Sequence, residues 1–393
     1  MRILLTGARA PVTLELARAF CASGHHVFVA DSFDPHLLRG SRAVTRSYRV
    51  PAPRSDADAR GFAEGLRDVI RREAIELLVP TCEEIFHVAR RLDVLGPQTR
   101  VLAMPIEALT PLHDKHAFAV RTRSAGVDAP ETELVTDRAR LARIVRERGE
   151  HIVIKPAFSR FASNAIVGPR DLARVGEVSA RRAWVVQERL RGRPIATFSV
   201  AHEGRLTLHS AYALDVTAGP RAGEGSAILF RPLDDPRVQA WVSAFVARER
   251  FTGQLALDLF DVPSRGIVAI ECNPRATSGA HLFRGDPGLA RAYVDPSAPL
   301  ALPRADASAM LALPMCLYGP RQLGRRFWRT MRASHDVAWD RRDPAASVVQ
   351  IATAAELVRR ALVHRCSPLE ASTIDIEWNG PHDSIEARAT GAP

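Results

Sequence analysis

The chain has 393 residues, 46% hydrophobic and 25% charged, which is ordinary globular composition and excludes a disordered or fibrous protein. Its net charge is +10, and the 54 basic residues divide into 52 Arg and only two Lys, Lys115 and Lys155. A balance this basic admits nucleic acid, an anionic surface or a phosphorylated ligand as partner, although scattered Arg is also what a plain composition bias produces.

No apolar run reaches the roughly 18 residues of a membrane helix, and the start MRILLTGARAP lacks the apolar core and cleavage site of a signal peptide. A cytoplasmic protein that does not enter membranes is expected. The five cysteines (Cys21, Cys82, Cys272, Cys316, Cys366) never approach closer than 44 positions. That spacing predicts neither a metal pair nor a disulfide framework, but reduced and mostly buried thiols.

In chain order, Arg2 to Thr6 is an apolar strand ending in TGARAP, followed by an amphipathic helix and a second strand, HVFVAD. The turn has one Gly where a dinucleotide fingerprint needs three, so Asp31 reads as a strand-end cap rather than a ribose ligand. With the strand ELLVP before Thr81, residues 1–108 form a Rossmann-like α/β domain. From Pro111, PLHDKHAFAVRTRSAG reads as one helix opened by Pro and closed by Gly126. A second helix, DRARLARIVRERG, the strand HIVIKP, a helix over Asp171 to Arg182 and the strand AWVVQERL complete a small lid, 109–191. IATFSVAHEG, RLTLHSAYA, GQLALDLFDV and GIVAIECNP are antiparallel strands of a central domain, 192–290, with a helix over PRVQAWVSAFVARERF. Residues 291–393 form an extension packed on that domain. Its basic segment Arg321 to Arg332 reads as a solvated helix face with Phe327 and Trp328 turned inward, and STIDIEWNG as a late strand.

Two features carry chemistry. Asp258 lies on one strand of a hairpin, and Glu271 and Asn273 lie on the next, sharing a face because side chains alternate. Three converging oxygens suit Mg²⁺, and Arg275 after Pro274 can place a planar cation on a phosphate or carboxylate. The second feature is the pair of lysines. Where nearly every cation is Arg, a retained Lys marks a site that wants a compact ammonium, such as a tight phosphate contact.

These residues resemble the ATP-grasp superfamily, nearest the carbamoyl-phosphate-synthetase-like and D-alanine ligase-like members, over residues 1 to 285. The landmarks are Lys115 in HDKHAF, Lys155 in VIKPA, the hinge VVQERL, and AIECNPR preceded by Asp258. The resemblance implies an ATP-grasp fold, α/β and α+β, with Lys115 and Lys155 on the α- and β-phosphates and Gln187, Glu188 and the backbone at Leu190 along the adenine. It also implies two Mg²⁺ ions, replaceable by Mn²⁺, on Asp258, Glu271 and Asn273, with Arg275 steadying the transferred phosphoryl group. The segment after Lys155, AFSRFASNAIVG, departs from the family in lacking Gly before Gly168. Ser159, Ser163 and Arg160 would then cover the phosphates. The ribose acid usual after the hinge is also missing, which leaves Glu188 to serve.

The activity implied is an ATP-dependent ligase that joins a small-molecule carboxylate to an amine through an acylphosphate and releases ADP. Its substrate would lie between the first domain and ATP, against Thr81, Glu83 and Glu84 and against Ser278 and His281. His281 is a candidate base, although a lone His is more often a spectator, and an N-cap is the plainer role for Thr81. Alternatives are activation of bicarbonate or transfer to a thiol or hydroxyl and, from another class, a non-catalytic RNA- or carrier-binding protein. A homodimer contact is one expected use of the last hundred residues.

Overall fold

A computed structural model describes residues 1–53, 56–159, 165–169, 172–218 and 225–380. Strands β1 (Arg2–Thr6), β2 (His26–Asp31), β3 (Arg46–Arg49), β4 (Leu77–Val79) and β5 (Arg100–Val101) form a parallel sheet in the order β3-β2-β1-β4-β5. Helices α1 (Pro11–Ala22), α2 (Asp56–Arg72), α3 (Ile85–Ala89) and α4 (Leu92–Leu95) connect them. Ile3, Leu4, Leu5, Leu77, Leu78 and Val79 are all fully buried, as continuous apolar strands covered on both faces must be. The β1–α1 turn needs its glycine. Gly7 has φ +71°, and a Cβ there would stand 2.6 Å from Thr81 Oγ1 at the end of β4. Asp31 accepts from the backbone N–H of Arg9 (3.0 Å) and Phe33 (2.9 Å) and from the Arg9 guanidinium, which makes it the strand-end partner its position predicts.

The single helix expected from Pro111 to Gly126 is two. Helix α5 (Ile106–His113) contains Pro111, and α6 (Lys115–Ser124) starts afresh. The break is chemical: Asp114 turns extended, and its Oδ1 accepts from the N–H of His116 (2.8 Å) and Ala117 (2.9 Å). An N-cap carboxylate inside a helical run ends one helix by starting the next. Lys115 thereby becomes the first residue of α6.

The second sheet is antiparallel, ordered β6-β9-β7-β8, from β6 (Thr132–Val135), β7 (Ile152–Pro156), β8 (Ile166–Val167) and β9 (Trp184–Glu188), with α7 (Arg138–Arg148) against it. The helix expected to Arg182 is only a 3₁₀ turn at Leu172–Arg174. Trp184 Nε1 donates to the carbonyl of Glu177 (2.9 Å) and Arg138 to that of Gly176 (2.9 Å), capturing acceptors a helix would use.

The central sheet, ordered β11-β10-β13-β14, joins β10 (Arg193–His202), β11 (Arg205–Ala213), β13 (Gly253–Val262) and β14 (Gly266–Asn273), with α8 (Pro236–Glu249) between β12 (Leu229–Phe230) and β13. Beyond it come α9 (Pro287–Val294), β15 (Ala309–Met310), α10 (Ala312–Leu323), α11 (Phe327–Ala333), β16 (His335–Asp336), α12 (Ala345–His364) and α13 (Pro368–Ala371), and β12, β15 and β16 make a small third sheet. One apolar core runs from Ile3 and Leu5 of the first sheet through Phe198 and Val200 of β10 to Tyr293 of α9.

Three further expectations are corrected. Phe327 is buried, but Trp328 is 68% exposed, because the short α11 buries only the stripe Phe327–Thr330 and the next residue points away. STIDIEWNG is not a strand: the N–H of Ile374 bonds to the carbonyl of Glu370 (3.1 Å), and those of Ile376 and Glu377 to Thr373 (2.9 and 2.8 Å), continuing the turn that the Ser367–Glu370 capping box begins. None of the five cysteines is paired with another, but only Cys272 is buried.

Candidate active site

Strands β13 and β14 pair so that Asp258 faces Glu271 and Ala256 faces Asn273. The register then slips, Leu259 facing Ala269, so Ile270 is the extra residue of a bulge. Asp258, Glu271 and Asn273 therefore share one face at the end of the hairpin. Asn273 Nδ2 donates to Glu271 Oε1 (3.1 Å), which turns Asn273 Oδ1 the other way, buried and without a hydrogen-bond partner. A buried acceptor without a partner beside two carboxylates has the chemistry that suits a cation.

Both lysines reach this face. The backbone N–H of Lys115 bonds to the carbonyl of Ala157 (3.2 Å), pinning the start of α6 to the end of β7. Its Nζ donates to the carbonyl of Ser159 (2.9 Å) and lies 3.6 Å from Glu271 Oε2. Lys155 Nζ lies 3.7 Å from the same oxygen, and the two lysines are only 2% and 5% exposed. Two buried ammoniums on one carboxylate set the local electrostatics. Burial pushes the Glu271 carboxyl up, but Lys115 and Lys155 together outweigh it and hold it down at about 2. Burial, then the charge of Glu271, pushes the Asp258 carboxyl up to about 7. Burial also lowers the Lys155 ammonium to about 8 against the pull of Glu271. With Asp258 only about half ionised near pH 7, the two ammoniums slightly exceed the carboxylate charge beside them, which suits an anion.

Arg275 is brought to the cluster by the first domain. Its Nε donates to Glu83 Oε1 (2.6 Å), and His113 Nε2 stands 3.7 Å from Glu83 Oε2, all three half or fully buried. Glu83 thus joins the carboxylate hairpin to the parallel sheet.

Other expected residues stand elsewhere. Helix α3 starts at Ile85, so Thr81 is not its N-cap: Thr81 Oγ1 donates to the carbonyl of Thr6 (2.7 Å) and meets Thr13 Oγ1 (2.6 Å). Glu84 Oε1 accepts from Thr6 Oγ1 (2.7 Å) and from the N–H of Thr81 and Cys82 (both 3.0 Å), binding β1 to the loop after β4. His281 lies in a buried 3₁₀ stretch beginning at Ser278, its Nδ1 3.1 Å from Glu15 Oε2 of α1, which removes it from the carboxylate face. Gln187 is buried, its Nε2 donating to Thr132 Oγ1 (3.0 Å). Glu188 is half-exposed and takes Arg265 (2.7 Å), which also holds Asp128 (2.6 Å), so its carboxylate already has a cation. Leu190 follows β9 and is half-buried. Ser159 offers its carbonyl to Lys115; Arg160 and Ser163 lie outside the described residues.

The sequence reading missed His113, Arg265 and Phe158. His113 alone had a signal, two positions before Lys115 and one before the Asp114 cap. Among the described residues no three His, Cys, Asp or Glu side chains form a metal-binding cluster. The donor set here is two carboxylates and an amide oxygen, and oxygen-only donors with an unfilled Asn acceptor fit Mg²⁺. No helix among the described residues is long and apolar enough to cross a membrane.

No family model matches the chain. A stretch of 151 residues, 37% of this chain, is 22% identical to the carbamoyl phosphate synthase large chain of Archaeoglobus fulgidus, of which it spans only 13%. Solved structures resemble it over most of its length. N5-carboxyaminoimidazole synthetase from Staphylococcus aureus complexed with ADP has a TM-score of 0.59 at 13% identity, covering 76% of this chain and 78% of that one. L-amino acid ligase from Bacillus licheniformis scores 0.56 at 12% identity, over 75% and 74%. The biotin carboxylase domain dimer of Hydrogenobacter thermophilus 2-oxoglutarate carboxylase, with MgADP and bicarbonate, scores 0.56 at 13% identity, over 75% and 69%. With two lysines, two carboxylates and an asparagine converging between the β6-β9-β7-β8 sheet and the central antiparallel sheet, the chain has the ATP-grasp fold.

Proposed function

We propose that this protein is an Mg²⁺- and ATP-dependent ligase that joins a small-molecule carboxylate to an amine. The observation that carries the reading is the pair of buried ammoniums sharing one oxygen of Glu271, beside Asp258 and the unfilled Asn273 Oδ1. In this reading residues 1–108 hold the substrate, 109–191 form the lid and 192–290 bear the metal ligands. Bound ATP would supply the γ-phosphoryl group that activates a carboxylate as an acylphosphate, leaving ADP; an amine attacking the acyl carbon then forms the amide and releases inorganic phosphate. Lys115 and Lys155 hold the phosphates. Asp258, Glu271 and Asn273 hold Mg²⁺, and Arg275 stands where a planar cation neutralises charge on the transferred group. Glu83 orients Arg275, and the closed lid keeps water from the reactive acyl group. Gln187 and the backbone to Leu190 line the base, while Glu188 meets the nucleotide only if Arg265 yields it. Similar folds solved in complex with ADP or MgADP support the reading.

Calorimetry with Mg²⁺ and the non-hydrolysable analogue AMP-PNP, followed by ADP release over paired carboxylic acids and amines, tests it. Binding that disappears in Lys155→Ala and Glu271→Ala is expected. Absence of nucleotide binding, or variants equal to the parent protein, refutes the proposal.

A further inference from the structure

The last described residues, Ser372–Gly380, have no counterpart in the resemblance, yet they lead back to the candidate site. Asp375 is 2% exposed and ion-paired to Arg9, whose guanidinium also donates to the carbonyl of Ser372 (3.0 Å). Ser32 Oγ adds a hydrogen bond to Asp375 (2.9 Å), and Arg360 approaches it at 3.3 Å. This anchors the segment to the first domain. Three residues on, Trp378 is buried and stacks on Phe86 (ring centroids 6.2 Å apart, planes 16° apart), with Arg90 5.3 Å from the indole. Phe86 packs on His113 (4.8 Å), and His113 on Phe158 (5.8 Å). Gly380 then closes the circuit: its φ is +100°, and a Cβ there would stand 2.7 Å from Phe158 Cε2.

Phe158 sits between Lys155 and Ser159, whose carbonyl holds Lys115 Nζ. We infer that Ser372–Gly380 is a positioning strap, fixed at Asp375 on Arg9, that presses Phe158 and His113 into place and so holds the turn that aims both lysines at Glu271. His113 is 2% exposed and Phe158 half-buried, so a displacement of the one ring is passed to the other through their contact. The functional part rests on the nucleotide reading above; the packing part does not.

Two arms separate the two. In the first, Mg·AMP-PNP affinity is measured for Gly380→Ala, Phe158→Ala and the double variant, with circular dichroism confirming the fold. Gly380→Ala is expected to weaken binding about tenfold, and the double variant to lose clearly less than the two losses multiplied, because the Phe158 ring supplies the three atoms nearest the added methyl group while only the backbone strain at φ +100° remains. Parent-like affinity in Gly380→Ala, or losses that multiply, overturns the inference. The second arm needs no nucleotide: amide hydrogen exchange across residues 152–158 is followed in Asp375→Asn and Trp378→Ala. Faster exchange there than in α8 supports the strap. Exchange unchanged from the parent protein overturns it, whether or not nucleotide binds.

Discussion

The exchange of one cation for another at Lys155 tests the site most directly. Lys155→Arg keeps the charge in a chain that uses Arg at 52 of 54 basic positions, so composition alone predicts no effect. The site predicts a loss. Lys155 is 5% exposed, its Nζ is 3.7 Å from Glu271 Oε2, and Lys115 Nζ already stands 3.6 Å from that oxygen. A guanidinium adds two heavy atoms and a plane where a point charge fits, and overpacking of this kind costs about 1–3 kcal/mol. It also cannot give up its proton, whereas burial already brings Lys155 down to about 8. We expect a lower urea midpoint and Mg·AMP-PNP affinity reduced at least about tenfold, which is about 1.4 kcal/mol. Lys115→Arg should behave alike, while Arg329→Lys, on an exposed position, should be silent. The assay is isothermal calorimetry beside urea unfolding. If Lys155→Arg and Lys115→Arg match the parent protein in both, the lysines are chance survivors of the bias and the reasoning from them fails.

Mg·AMP-PNP affinity should be greatest between about pH 7 and 8. Below about 7 Asp258 takes up a proton and affinity should drop about tenfold per unit, and above about 8 Lys155 loses its charge; a flat calorimetric profile from pH 5.5 to 9 would exclude both roles. The raised Asp258 value has the opposite sign for the metal-free fold. The folded state binds that proton more tightly, so its stabilisation is complete below the unfolded value near 4 and is lost as pH rises through about 7, unless Mg²⁺ is added; urea midpoints in EDTA and in Mg²⁺ show this. Asn273→Ala should raise the Mg²⁺ concentration needed for nucleotide binding about tenfold, and an unchanged requirement removes Asn273 from the donor set. Asp375→Asn leaves the buried Arg9 with Asp31 as its remaining carboxylate and should cost about 1.5–3 kcal/mol by urea unfolding. Arg9 overcomes burial and holds Asp375 at about 2, so this stabilisation is present above about 4 and is lost as acid carries the pH down through 2. A midpoint equal to that of the parent protein would show that the ion pair contributes nothing.

Much of the fold was legible in local pattern. The apolar runs of β1, β2 and β4, and the alternation that sets Glu271 and Asn273 on one face, follow from the period of a strand. The boundary errors have local causes too. Asp114 splits a helix because its carboxylate caps the next one, a competition that hydrophobic periodicity does not register. The segment after Ser372 has a strand's composition, yet it turns, because its N–H groups bond back to Glu370 and Thr373 and Asp375 pairs with the buried Arg9.

By itself the sequence determined the kinds of group at the site: two lysines kept among arginines, a hairpin of Asp, Glu and Asn, and the fold that brings such residues together. Tertiary structure alone decided which groups meet. It put both ammoniums on one oxygen of Glu271, gave Arg275 to Glu83, committed Glu188 to Arg265 and His281 to Glu15, and returned Asp375 to Arg9 across 366 positions. The physical reason is range. Side-chain alternation, helix caps and composition act between neighbours along the chain, whereas ion pairs and burial depend on distances that exist only after the sheets have packed.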